Sequence, residues 1–286
     1  MTAGLFVSGC GSDKAGGIGS VVSSVVDGGS DEKAAAKLNT LIDATNRFNG
    51  DNATWGQNYA DSLAKLKGGF QEGAIGRQPH YDTLKDALEK SKKEGSTFKE
   101  VDTERDNVLN ILNELVPTFK DLKAYDDSKA YMNDGGAKGK ELAAKYVAQV
   151  EKFDAAYAKF NDALNKANTE QTKKQIEKLK KDGKKGYAAA MESTLRLTTL
   201  VENVEKAPKN ADKQAVEKEL NEIQTLLKSI NNDRGEVLVN SYNSVVGSVR
   251  QVLTDANENN LNEMIENFNN YIESYNNTTP DQFDSK

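Results

Sequence analysis

The 286-residue chain holds one cysteine, one histidine, one tryptophan and four prolines. A single cysteine excludes an intramolecular disulfide and any multi-cysteine zinc or iron–sulfur site. A single histidine excludes poly-histidine metal centres and leaves any Ser–His or Cys–His scheme resting on His80. No stretch reaches the roughly 20 apolar residues of a membrane-spanning helix. Positive charge is in deficit: 38 Lys+Arg against 44 Asp+Glu leave a formal net charge of -6, a poor balance for a nucleic-acid partner. Alternating runs of β-branched residues are missing, so no strands are expected. No phosphate loop, dinucleotide fingerprint, zincin helix or nucleophile elbow occurs. No catalytic residue, metal ligand or cofactor is assigned, and the chain is not expected to be an enzyme.

What is present begins with the one cysteine. Leu5-Phe6-Val7-Ser8-Gly9-Cys10 is a short apolar run, two small residues and a cysteine. It resembles a bacterial lipobox, in which lipid joins the cysteine thiol and cleavage leaves that cysteine first. The resemblance implies lipidation at Cys10 and a membrane partner held through that lipid. Gly11, Ser12, Gly16, Gly17, Gly19, Ser20, Gly28, Gly29 and Ser30 follow, a composition that makes a flexible tether. Only nine residues precede Cys10 and none is Lys or Arg. A secretory signal needs a basic start and about 7–15 apolar residues, so residues 1–30 are expected to be a truncated signal remnant plus tether.

From Asp31 onward the chain is rich in Ala, Leu, Lys, Glu and Gln, which favour helix. Leu38, Leu41, Ile42, Thr45 and Phe48 share one face of a helix over Asp31–Arg47, and Asn49-Gly50-Asp51-Asn52 predicts a break after it. Helices are expected over Thr54–Phe70 and Tyr81–Lys93. Val101, Val108, Ile111, Leu112, Leu115, Phe119 and Leu122 make one long stripe, with Pro117 predicting a kink inside it. A second stripe runs from Leu142 through Tyr146, Val150, Phe153, Tyr157 and Phe160 to Leu164, and Gly183 marks a bend or break. Two more follow, over Tyr187–Val201 and Val216–Ile230. The longest spans Leu238 to Tyr275, and one helix over Glu236–Asn276 would extend about 60 Å. The expected fold is all-α: an elongated bundle of long, partly kinked helices over residues 31–277, with a disordered tail at 278–286.

Few side chains suggest chemistry. His80 follows Pro79 at a helix start and has no visible partner. The metal signature of imelysin-type helical proteins, Gly-x-His-x-x-Glu, is absent, because Gln78 and Thr83 stand where Gly and Glu are needed. Asp126-Asp127, with Tyr125 and Tyr131, is a compact polar–aromatic cluster. Two carboxylates can bind a cation or act as acid and base. Neighbours diverge on a helix, however, so a helix end or an interhelical hydrogen bond accounts better for the pair. The basic run Lys173 to Lys185 includes Glu177 and Asp182 and suits a solvated helix end.

One stretch resembles a family. Leu122-Lys123-Ala124-Tyr125-Asp126-Asp127-Ser128-Lys129-Ala130-Tyr131-Met132-Asn133-Asp134 leads into Ala137-Lys138-Gly139-Lys140-Glu141-Leu142. It is similar to the central signature of the YiiG-like family of bacterial lipoproteins, a domain of unknown function. Lys37–Asn46 and Asn240–Val246 resemble its opening helix and closing Tyr-Asn element. The resemblance implies an exported, lipid-anchored, all-helical protein and carries no catalytic residue. Its signature positions here are Tyr125, Asp126, Tyr131 and Lys140.

These observations together predict a lipid-anchored cell-envelope protein, periplasmic or on the outer surface, that binds or scaffolds rather than catalyses. An envelope protein or small ligand is the expected partner. A periplasmic ligand-binding protein with an interhelical pocket near Tyr125 and Asp126 is the alternative. A carboxylate-based envelope hydrolase is the weaker one, since no paired carboxylates stand out.

Overall fold

Every element is helical among the residues that the computed structural model describes, namely 30–76, 79–95 and 98–284. Cys10 and the tether up to Gly29 lie outside them. The chain is all-α, as its composition predicts. The described residues divide into two units, 30–167 and 168–284, each with its own hydrophobic core. The sequence reading gives one bundle over 31–277, because the apolar stripes carry no mark of the boundary.

The first unit contains α1 (Ser30–Lys67), α2 (Tyr81–Lys93), α3 (Lys99–Asp127), the single turn α4 (Tyr131–Asp134) and the greater part of α5 (Ala137–Lys181). Leu38, Leu41, Ile42, Thr45 and Phe48 of α1 are all buried, as their spacing predicts. The break expected at Asn49-Gly50 does not occur, and α1 runs through it. Gly costs only about 1 kcal/mol in a helix interior, and tertiary contacts outweigh it here. Phe48 packs its ring 5.3 Å from that of Tyr157, and the Tyr157 hydroxyl donates to Asn49 Oδ1 at 3.0 Å. Pro117 lies inside α3, which stays one helix across it. Around Phe48, the rings of Tyr81, Phe153 and Tyr157 stand within 5.8 Å centroid to centroid. Each such ring contributes about 2–3 kcal/mol on leaving water.

The second unit holds the end of α5, then α6 (Lys185–Lys206), a 3-10 turn at Pro208–Asn210, α7 (Lys213–Lys228), α8 (Asp233–Thr254), α9 (Glu258–Asn276) and α10 (Pro280–Asp284). Helix α6 is buried on most of its circumference, including the run Tyr187 to Ser193 apart from Glu192. Its buried hydroxyls are satisfied locally: Ser193, Thr194 and Thr198 donate to the carbonyls of Ala189, Ala190 and Thr194. The expected single helix over Glu236–Asn276 is instead the hairpin of α8 and α9. Asp255 leaves helical geometry and Asn257 caps α9 by accepting from the Asn260 amide at 2.9 Å. A helical stripe has the same period on either side of a turn, so the periodicity runs through it unmarked. Residues 278–286, expected as a disordered tail, include α10. Its Phe283 is only 2% exposed, and that burial orders the segment.

Candidate functional site

The turn joining α3 to α5 carries the signature residues. Helix α3 ends in a Schellman motif: the Ala130 amide donates to the Tyr125 carbonyl at 3.1 Å and the Lys129 amide to the Asp126 carbonyl at 2.9 Å. Lys129 takes the left-handed position, φ 54°, which glycine usually fills. After α4, Gly135 and Gly136 also have positive φ, at 62° and 85°, and turn the chain into α5.

Side chains lock this turn. Tyr125 donates its hydroxyl to Asp134 Oδ1 at 2.5 Å. The same carboxylate accepts from the Gly136 amide at 2.9 Å and the Lys138 amide at 3.2 Å, capping the start of α5. These donors hold the Asp134 carboxyl below the usual carboxylate range, Tyr125 contributing most. Phe70, just beyond α1, brings the two tyrosines together: its ring lies 5.2 Å from that of Tyr125 and 5.8 Å from that of Tyr131. The Glu72 carboxylate beside Tyr131 pushes that hydroxyl up to about 12. Gly139 is buried against the pair, and a Cβ there would sit 2.6 Å from both Phe70 Cγ and Tyr125 Cε1.

Of the sequence-predicted residues, Tyr125 and Tyr131 therefore meet, through Phe70. Asp126 is half-buried and contributes its carbonyl to the Schellman motif. Asp127 pairs with Lys123 at 2.8 Å on the surface. Lys140 is exposed, and its amide donates to the Gly136 carbonyl at 3.0 Å. His80 is exposed and stands at the N-cap of α2 without a side-chain capping bond. Cys10 lies outside the described residues.

Two further features went unsignalled in the sequence. Tyr59 and Tyr81 share a hydroxyl–hydroxyl hydrogen bond of 2.8 Å, with Tyr146 beside both. Burial pushes the Tyr59 hydroxyl up to about 12. A groove of about 430 Å³ opens between α3 and α5, floored by Ile111, Ala155 and Ala156 and rimmed by Asn107, Lys152 and Lys159. It lies along the helices rather than at the Tyr125–Lys140 turn. The tyrosines are scattered over three helices, and a groove made by two alanines leaves no motif. Among the described residues no group of three or more His, Cys, Asp and Glu side chains could hold a metal ion. No helix among them is long and apolar enough to cross a membrane.

The family follows from the whole span. A model described as protein of unknown function (DUF3829) matches residues 32–266. The chain belongs to the DUF3829 family. No curated protein and no solved structure matches it. The span matched as DUF3829 takes in the α3–α5 turn and stops short of α10.

Proposed function

We propose that this DUF3829 chain is a lipid-anchored protein of the bacterial cell envelope, similar to the YiiG-like lipoproteins, and that it acts by binding or scaffolding. The observation that carries the reading is the lipobox-like Leu5–Cys10 segment with its Gly/Ser tether. Acyl chains on Cys10 would hold an acidic helical body at a membrane, and two or more of them make such anchoring stable. The signature turn gives this reading no catalytic group. Tyr125 and Asp134 are engaged with each other and with backbone amides, so neither is a free acid, base or nucleophile.

The test is metabolic labelling with a palmitate analogue in a bacterial host, with the chain expressed behind a lipoprotein export signal of that host. Label is expected on the wild type, in the membrane fraction, and lost with Cys10→Ala, which then moves to the soluble fraction. Equal labelling of both chains, or none on a wild type that is exported, overturns the anchor.

A further inference from the structure

The strongest unassigned surface lies in the second unit, at the corner where α5 ends and α6 begins. The chain is acidic overall, yet residues 173–185 hold seven lysines against two acids. Those acids do not neutralise the lysines. Glu177 pairs with Lys180 at 3.4 Å, and Lys180 also meets Glu192 of α6 at 2.8 Å. Asp182 lies past the last residue of α5. Lys184 stands 3.6 Å from Asp281. Lys173, Lys174, Lys178, Lys181 and Lys185 are exposed and make no ion pair among the described residues. Lys174, Lys178 and Lys181 are four and three residues apart, which sets them in one row along α5, about 10 Å from end to end. Ile176 and Leu179, on the opposite side of the helix, are buried in the core of the second unit, so the row faces water. Glu170 stands one turn before Lys174 and closes the row at that end. The helix dipole favours Lys178 and Lys181 in the last turn of α5. It does not account for Lys173 and Lys174, which lie further back. It opposes Lys185, which opens α6 at a helix N-terminus with no acid in its first turn.

We propose that this lysine row is a docking surface for anionic phospholipid headgroups, which lays this corner of the second unit against a bilayer. The proposal rests on the lipid-anchored reading above, since the anchor brings the row within reach of headgroups. The lipid holds the chain at the membrane, and the row decides which face of the second unit meets it. The argument is charge complementarity. Unpaired cations of one sign repel one another in the folded chain, and an anionic surface relieves that repulsion. Each lysine close to such a surface strengthens binding about fivefold. Residues 173–185 include no arginine and no aromatic ring. The corner therefore presents neither a guanidinium fork for one phosphate nor a ring on which a base could stack. Mobile point charges on an exposed helix face suit a field of headgroups.

The test uses the full chain with Cys10→Ala, which bears no lipid. It is co-sedimented with vesicles of equal parts phosphatidylglycerol and phosphatidylcholine, and with vesicles of phosphatidylcholine alone. Binding is expected only where phosphatidylglycerol is present, and should fall away as salt is raised from about 0.05 to about 0.5 M. Lys174→Gln, Lys178→Gln and Lys181→Gln together should weaken it roughly a hundredfold. A control chain with Lys145→Gln, Lys152→Gln and Lys159→Gln, exposed lysines earlier on α5, has the same net charge and should bind nearly as the parent does. Circular dichroism establishes that both variants keep their helices. No binding to phosphatidylglycerol, equal binding to the two kinds of vesicle, undiminished binding of the row variant, or equal weakening of row variant and control each overturns the proposal. Since none of these chains carries lipid, that failure is distinct from failure of the palmitate labelling, which tests the anchor alone.

Discussion

Tyr125 donates its hydroxyl proton to Asp134, nine residues along the chain, and Asp134 turns the same carboxylate toward the first amides of α5. A tyrosine at the end of one long helix thereby fixes the cap of the next. The acidic and aromatic residues that resemble a binding motif are thus the parts of a corner. The folded Asp134 pKa is depressed, so this contribution to stability is present above the unfolded carboxylate pKa and fades as pH falls through the folded value. Asp134→Asn should therefore flatten the acid limb of the stability curve in the most acidic range. Urea midpoints from neutral pH down to about pH 3 check this, a steeper loss in the variant being the contrary result.

Gly139 tests how tightly the corner is built. A methyl group there meets Phe70 and Tyr125 at 2.6 Å, contacts that only a shift of the rings relieves. Gly139→Ala should destabilise the chain by about 1–3 kcal/mol, the usual cost of overpacking, despite alanine's better helix propensity. Denaturant unfolding reads this directly. A neutral or stabilised variant would mean that the rings are free to move aside.

Lys129 gives the opposite sign. It holds φ 54° at the position of the Schellman motif where glycine is favoured. The equivalent corner at the end of α5 has Gly183 at φ 81°. Lys129→Gly removes the strain of a side chain in the left-handed region, partly offset by a more flexible unfolded chain. The expected gain is about 0.5–1 kcal/mol. A rise in the thermal midpoint with unchanged helicity checks it.

These corners also show what a sequence displays and what it conceals. The faces of α1, α2, α3 and α5 follow from the 3.6-residue period: Leu38, Leu84, Leu112 and Val150 are fully enclosed where the pattern puts them. The Gly183 break is equally plain, because a lone glycine after a lysine-rich helix end is a stop signal. Asn49-Gly50 carries the same kind of signal and no break follows: α1 continues through it, with Phe48 packed on Tyr157 beside it. The α8–α9 turn is concealed for the opposite reason: Asp255 and Asn257 turn the chain with polar side chains that the apolar stripe does not register. At the site, Tyr125 and Tyr131 are marked by their spacing. Phe70 is not, because 55 residues of sequence separate it from a partner 5.2 Å away.

The buried hydroxyls of the first unit predict an alkaline limit. Burial raises Tyr59 to about 12, and burial raises Tyr81 and Tyr146 beside it as well. A raised folded pKa means that stability is full below the unfolded tyrosine value of about 10 and is lost as pH climbs toward the folded one. No tyrosine is exposed, so tyrosinate absorbance should stay low past about pH 10 and rise only as the chain unfolds. Tyr81→Phe removes the 2.8 Å hydrogen bond to Tyr59 and should cost about 1–2 kcal/mol. A single titration step centred near pH 10 would be the contrary result.

The cluster around Arg105 is a buried charge network, and a single substitution in it should be costly. Its side chain is 5% exposed, and it donates to Asp102 at 2.5 Å and to Asp106 at 2.9 and 3.0 Å. Lys37 of α1, 8% exposed, lies 3.8 Å from the same Asp102, and Lys92 of α2 lies 3.1 Å from Asp106. Three helices thus meet at alternating charges, with Asp102 shared by two buried cations. Neutralising Asp102 strips Lys37 of this counter-charge in a poorly hydrated site and leaves Arg105 with Asp106 alone. Asp102→Asn should therefore destabilise by about 3–5 kcal/mol, the range for breaking a buried pair. Replacing Lys37 by Met as well removes one stranded cation, so Lys37→Met with Asp102→Asn should recover part of that loss. A double-mutant cycle on urea midpoints measures the coupling, and strictly additive costs would show that Lys37 and Asp102 do not act on each other.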